Sequence, residues 1–189
     1  MSKKDIVVAV DIDGTLNDIM LPFINKVYDL GFKYNYKYCS SYDMEKGIVN
    51  ATPGEQQNIK KYIFDDPDFW LDLPMADNAY EGLYYLNSTY RTFIVTLPWN
   101  EDNKKVKSIW VRRNFPFFDI RNIIFLKEKW TLPIDVIIED KIETIEECAK
   151  QGIKTICKVQ PYNKTSNPDA FMYDWKDIYD VMEGIQIHQ

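Results

Sequence analysis

A run of five apolar residues, Ile6-Val7-Val8-Ala9-Val10, passes directly into Asp11-Ile12-Asp13-Gly14-Thr15. Three valines in five, between charged flanks, predict a strand buried on both faces. Such a strand needs helices covering its sheet on each side. Two carboxylates then arrive one residue apart, where the strand must end. Ligands of an open parallel sheet sit just beyond the carboxyl ends of its strands, so chemistry is expected at this turn. Gly14 lets the chain turn sharply and lets backbone approach a ligand. The plainer alternative, a strand that happens to end in an acidic turn, fits one aspartate better than it fits Asp-x-Asp-Gly-Thr.

The rest of the chain alternates as such a sheet requires. Leu21 to Phe32 carries Leu21, Ile24, Val27, Tyr28 and Phe32 at helical spacing and reaches Gly31 near its end. Tyr34 to Gly54 is mixed, and Glu55 to Phe64 is helical until Asp65-Asp66-Pro67 ends it. No run between Asn17 and Pro74 reads as a buried strand. From Ala76 onward strands and helices take turns: helix Asn78–Leu86, strand Thr92–Thr96, helix Glu101–Phe115, strand Ile123–Leu126 and strand Ile134–Ile138. Helix Ile142–Gln151 follows, with Gly152 at the position after its cap, then strand Thr155–Val159 and helix Asp174–Glu183. The predicted fold is α/β: a Rossmann-like three-layer core with a mostly parallel sheet, residues 1–16 and 75–189, and a small helical cap, residues 17–74, inserted after strand one.

Composition removes several functions. A chain of 189 residues with 46% hydrophobic and 28% charged residues buries a sizeable core and is not disordered. A net charge of −6 argues against a nucleic-acid polymer or an anionic membrane as partner, though not against a small anion beside a bound cation. Cys39, Cys148 and Cys157 show no C-x-x-C spacing and predict free thiols in a reducing compartment. With no signal-like start and no apolar run of membrane length, the expected location is the cytoplasm. A homodimer is left open. The only histidine is His188, so no histidine-based triad or metal motif is expected within the fold.

Taken together, the strand ends collect Asp11 and Asp13, Thr96, and Glu139-Asp140 on one edge of the sheet. Lys129 lies on the loop entering the fourth strand. Acids from separate strands repel unless a cation neutralises them, and hard oxygen ligands without histidine or thiol favour Mg²⁺. A lysine and a hydroxyl beside such a metal suit a dianionic phosphoryl group.

Asp11-x-Asp13-Gly14-Thr15, Thr96, Lys129 and Glu139-Asp140 resemble the four ordered motifs of the haloacid dehalogenase superfamily of phosphohydrolases. Within it the chain is most similar to the 5′(3′)-deoxyribonucleotidases. Phe69-Trp70-x-x-Leu73-Pro74, Val95-Thr96-x-Pro98, Asp135 to Asp140 with Lys129 ten residues before the acidic pair, Pro161-Tyr162-Asn163 and Trp175-Lys176-Asp177-Ile178 carry that likeness. The resemblance implies that Asp11 is the nucleophile and forms an aspartyl-phosphate, while Asp13 is the general acid and then the base. It implies that Asp11, the Asp13 carbonyl and Asp140 hold Mg²⁺, and that Thr96 and Lys129 bind phosphoryl oxygens.

Three positions depart from the family pattern. Glu139 stands where Asp is usual, so it is expected to reach the metal through water. Leu97 replaces a common Ser. Ile19 stands where an aromatic residue tends to face the base, leaving Phe69 and Trp70 either as the stacking surface of the substrate pocket or as a hydrophobic hinge. Among other residues, Lys127 competes with Lys129. Asp135 is expected to make local hydrogen bonds, Asp18 to be a solvated acid near the mouth, and Lys104, Lys105 and Lys107 to form a solvated helix face. The function expected is Mg²⁺-dependent hydrolysis of a nucleoside monophosphate. The alternatives are a phosphatase for another small phosphomonoester, such as a sugar phosphate, and a protein that binds nucleotide or phosphate without turnover.

Overall fold

Val7–Val10 forms β1, and in the computed structural model it lies at the middle of a six-stranded sheet of order β3-β2-β1-β4-β5-β6. The structure describes residues 5–38 and 43–185; Cys39, Ser40, Ser41 and His188 lie outside the described residues. The strands are β1, β2 (Arg91–Thr96), β3 (Ile123–Phe125), β4 (Val136–Glu139), β5 (Lys154–Lys158) and β6 (Ala170–Met172), and every pairing is parallel. The helices are α1 (Met20–Asp29), α2 (Pro53–Phe64), α3 (Pro67–Leu71), α4 (Ala79–Thr89), α5 (Glu101–Asn114), α6 (Ile142–Lys150) and α7 (Ile178–Gly184). This is the Rossmann-like α/β core the sequence predicts.

Alternate strand residues feed two apolar layers, because successive side chains leave opposite faces of a sheet. Val8, Val10, Ile94, Val136 and Ile138 join Leu83 and Leu86 of α4, Trp110 of α5 and Ile178 of α7. Ala9, Val95 and Ile137 point the other way, onto Cys148 of α6, Ile134 and Ile153. After β1 the chain builds outward through β2 and β3, then returns to place β4 on the other side of β1. That reversal leaves a crevice between the ends of β1 and β4, where Asp11 and Asp140 emerge.

Helices α1, α2 and α3 all fall between β1 and α4. The chain leaves and rejoins the core at one place. Asn17 and Met75 form an antiparallel bridge, the Asp18 amide donates to the Pro74 carbonyl at 3.0 Å, and the Ala76 amide donates to the Leu16 carbonyl at 2.9 Å.

Two elements differ from the sequence reading. Asp65-Asp66-Pro67 ends α2 but also starts α3: Asp66 caps it through the Asp68 amide, and Pro67 occupies its first turn, where a missing amide costs nothing. The edge strand β6 leaves no pattern in the sequence, since three residues are too few to show a period. Asp135 stands at the start of β4, but its bond is not local: its Oδ2 accepts from the Val7 amide at 2.7 Å and ties β4 to β1.

Candidate active site

The carboxyl edge of β1 is a tightly bonded turn. The amides of Thr15, Leu16 and Asn17 all donate to the Ile12 carbonyl. Gly14 has φ +73°, and a Cβ there would collide with the Asp140 carboxylate and the Tyr162 hydroxyl, so only glycine fits this approach. The turn buries Asp11 and Asp13 almost completely. Thr96 ends β2, Glu139 ends β4, Asp140 follows it, and Lys129 lies on the loop between β3 and β4. All four are buried, and all face the same crevice as Asp11 and Asp13.

Each catalytic candidate is gripped by a named partner. Lys129 Nζ donates to Asp11 Oδ1 at 2.5 Å and to Glu139 Oε2 at 2.7 Å. Burial opposes the charge of Lys129, but the Asp11 and Glu139 carboxylates overcome it and hold its pKa above the ordinary lysine value. Asp13 Oδ1 accepts from Asn17 Nδ2 at 3.1 Å, and Asp13 Oδ2 accepts from Lys107 Nζ. Burial pushes the Asp13 pKa up, Lys107 pulls it down and Asp11 adds to the rise; the net shift is upward.

Lys107 corrects the sequence reading. Expected on a solvated helix face, it is 2% exposed, and its ammonium also donates to Thr96 Oγ1 and to the Leu97 carbonyl, each at 2.9 Å. Lys105 is exposed and Lys104 half-buried, as a surface face requires. The missed signal was periodicity: Lys107 shares a stripe with Asn103, Trp110 and Val111, the other buried residues of α5.

Asp11, Glu139 and Asp140 each offer a carboxylate oxygen, all within 4.8 Å of one another. Asp140 Oδ2 accepts from the Tyr162 hydroxyl, and its carbonyl accepts from Asn163 Nδ2 at 2.8 Å. Asp140 Oδ1 is buried with no hydrogen-bond partner. Burial first, then the Glu139 and Asp11 charges, drive its pKa well above the usual carboxylate range. An orphaned buried oxygen among hard donors fits a divalent cation such as Mg²⁺. Glu139 is already engaged on both oxygens: Oε1 accepts from the amides of Asp140 and Lys141 at 3.0 and 3.1 Å, and Oε2 from Lys129.

Above this floor lies a cleft of about 300 Å³. Trp70 lines it with Phe64, Trp99 and Lys60, while Lys127 stands at the cleft in addition to Lys129 rather than in its place. Phe64 packs 4.8 Å from the Trp70 ring and 5.2 Å from the Trp99 ring; the indole of Trp99 donates to Asp65 at 2.8 Å. Phe69 is stacked behind Phe64 at 5.5 Å and does not line the cleft. Ile19 does not line it either; it is 1% exposed within the main apolar layer. Both belong to the packing behind the wall. Asp18 lies away from this cleft and accepts from the Met20 amide at the start of α1. Cys148 and Cys157 are free and buried, and burial pushes their thiols up to about 12 and about 11, which leaves them unreactive.

The family model described as "5' nucleotidase, deoxy (Pyrimidine), cytosolic type C protein" matches residues 4–188. The chain belongs to this family. As a member of the nucleotidase family it is an enzyme, a phosphoric monoester hydrolase. A 5′(3′)-deoxyribonucleotidase of Bacillus subtilis is 24% identical over 173 residues, covering 91% of this chain and 95% of the relative. One from Clostridium acetobutylicum is 24% identical over 178 residues, with 94% and 95% covered. Among solved structures, a haloacid dehalogenase-like hydrolase of Streptococcus pneumoniae superposes with a TM-score of 0.65 at 15% identity, covering 94% of this chain and 98% of that one. A haloacid dehalogenase-type hydrolase of Bacillus subtilis bound to magnesium gives a TM-score of 0.59 at 14% identity, with 97% and 100% covered. These two establish the fold of the nucleotidase-family chain.

Proposed function

We propose that this enzyme hydrolyses nucleoside monophosphates, deoxyribonucleotides in particular, through a phosphorylated Asp11. The observation that carries the reading is the pairing of two buried aspartates, each on its own lysine, beneath a cleft walled by Phe64, Trp70 and Trp99. An Asp11 oxygen attacks phosphorus and the bond to the nucleoside oxygen breaks. Asp13 gives that oxygen its proton, then takes one from the water that cleaves the aspartyl-phosphate. Lys129, bonded to two carboxylates, retains one proton for a phosphoryl oxygen, and the Thr96 hydroxyl supplies another donor. Mg²⁺ held by Asp11, Asp140 and the Asp13 carbonyl would offset the charge of the phosphoryl group.

Residues 17–74 serve as the cap: Lys60, Phe64 and Trp70 bring its surface against the core loop that carries Trp99, where it excludes water and selects the leaving group. The relatives' names support deoxyribonucleotides as substrates. The free, buried thiols of Cys148 and Cys157 suit the cytoplasm.

The test is phosphate release from 5′- and 3′-nucleoside monophosphates and sugar phosphates, with Mg²⁺ and with EDTA. Turnover of nucleotides above sugar phosphates, dependent on Mg²⁺, is expected. Turnover of sugar phosphates alone overturns the substrate, and saturable nucleotide binding without phosphate release overturns the reaction.

A further inference from the structure

Two lysines are buried at the floor of the cleft, and they meet different aspartates. Lys129 binds Asp11 and keeps a donor in reserve. Lys107 keeps none: an ammonium has three protons, and those of Lys107 go to Asp13 Oδ2, Thr96 Oγ1 and the Leu97 carbonyl. It therefore has nothing left to offer a phosphoryl oxygen. Its bond to Asp13 and that of Asn17 to the other oxygen clamp the carboxyl group from both sides. The Trp70 ring lies 5.3 Å from the ammonium, so the cap covers it with an aromatic face.

Resting on the general-acid role proposed for Asp13, we infer that Lys107 is the positioning residue for that acid, aiming its carboxyl group at the departing nucleoside oxygen. In the first step a bond forms between an Asp11 oxygen and phosphorus. The bond from phosphorus to the nucleoside oxygen breaks, and the departing oxygen takes the electron pair together with the proton of Asp13. Lys107 retains its own protons throughout. By donating to Thr96 Oγ1 it also turns that hydroxyl proton away from itself, toward the cleft. The Thr96 contact affects every substrate alike, whereas the Asp13 contact matters only when the leaving oxygen needs a proton.

That difference gives the experiment. The full chain is assayed with a deoxyribonucleoside 5′-monophosphate, whose alkoxide needs a proton, and with p-nitrophenyl phosphate, whose leaving group does not. The quantity read is kcat/KM, which reports the first phosphoryl transfer. General acid catalysis contributes about 10²–10⁴-fold. Asp13→Asn should lower kcat/KM for the nucleotide by a factor in that range. Lys107→Met should lower it about 10²-fold. For each variant the loss on p-nitrophenyl phosphate should be at least about tenfold smaller than the loss on the nucleotide. In the Asp13→Asn background, Lys107→Met should add less than about threefold on the nucleotide, because residues acting as a unit are not additive.

Equal losses on both substrates for Lys107→Met, or losses that multiply in the double variant, overturn the positioning role. If Asp13→Asn shows no difference between substrates, the acid role itself fails; if it shows one and Lys107→Met does not, only the inference about Lys107 fails. Lys107→Met leaves the buried Asp13 carboxyl group held by Asn17 alone, so Lys107→Gln, which keeps a donor, is measured in parallel. Loss of folding in both variants, read by circular dichroism, makes Lys107 a folding residue and overturns the proposal.

Discussion

On the sheet side of the cleft, charged groups sit at strand ends and hold one another by direct bonds: Lys129 to Asp11 and Glu139, Lys107 to Asp13 and Thr96, Tyr162 to Asp140. On the aromatic side, Phe64 and Trp70 from the segment between β1 and α4 meet Trp99 from the loop after β2 by ring packing, with the Phe64 centroid 4.8 and 5.2 Å from the two indoles and only the indole protons tied down. The contrast follows from what each side handles. Buried charge is tolerated only when paired, so its geometry is fixed by a few short bonds and any loss is severe. An aromatic wall is fixed by area, which many side chains can supply. Damage to the sheet side should therefore appear in turnover, and damage to the wall in substrate binding.

The largest effect is expected from Asp11→Asn, which removes the proposed nucleophile and should lower kcat by about 10⁴-fold or more. Full activity in that variant would break the contrast at its strongest point. Removal of divalent metal comes next. EDTA should abolish phosphate release and Mg²⁺ restore it. Scanning calorimetry should show Mg²⁺ raising Tm, since a ligand at about 100 times its Kd stabilises the folded state by about 2.7 kcal/mol. Asp140→Asn should shrink that rise.

On the wall, Trp99→Ala should raise KM for nucleotides by about 5- to 150-fold, matching about 1–3 kcal/mol for stacking on a base, while KM for a sugar phosphate stays put. A fall in kcat alone would place Trp99 on the chemical side. The smallest effect belongs to Ile19→Val. It should cost about 0.5–1.5 kcal/mol in urea unfolding and leave KM unchanged, because Ile19 lies behind the wall.

The same contrast decides what the sequence reveals. A buried parallel strand is a short apolar run, and a group at its end is one residue further on; Asp11, Asp13, Thr96, Glu139 and Asp140 are therefore readable locally, and Lys129 follows from its spacing to the acids. Lys107 is harder to see because a lysine on a charged helix is read as solvated, although it lies on the stripe of Trp110 and Val111. The wall depends on packing between distant segments. Phe64 from α2 meets Trp99 from the loop after β2, and no local pattern announces that meeting. The family resemblance puts Ile19 at the base and leaves Phe69 open between stacking surface and hydrophobic hinge; the apolar layers claim both. Pro67 reads as a stop in the sequence, and its second role as the start of α3 depends on Asp66 capping the next turn.

If Asp11 becomes covalently phosphorylated, the phospho-enzyme can be trapped during turnover. The enzyme would be mixed with a nucleoside monophosphate labelled with radioactive phosphate, quenched in acid within milliseconds, digested and sequenced by mass spectrometry. The prediction is label that hydroxylamine releases, on the peptide containing Asp11 and absent from Asp11→Asn. Rapid turnover with no labelled enzyme at any quench time, or label on a peptide lacking residue 11, would contradict it.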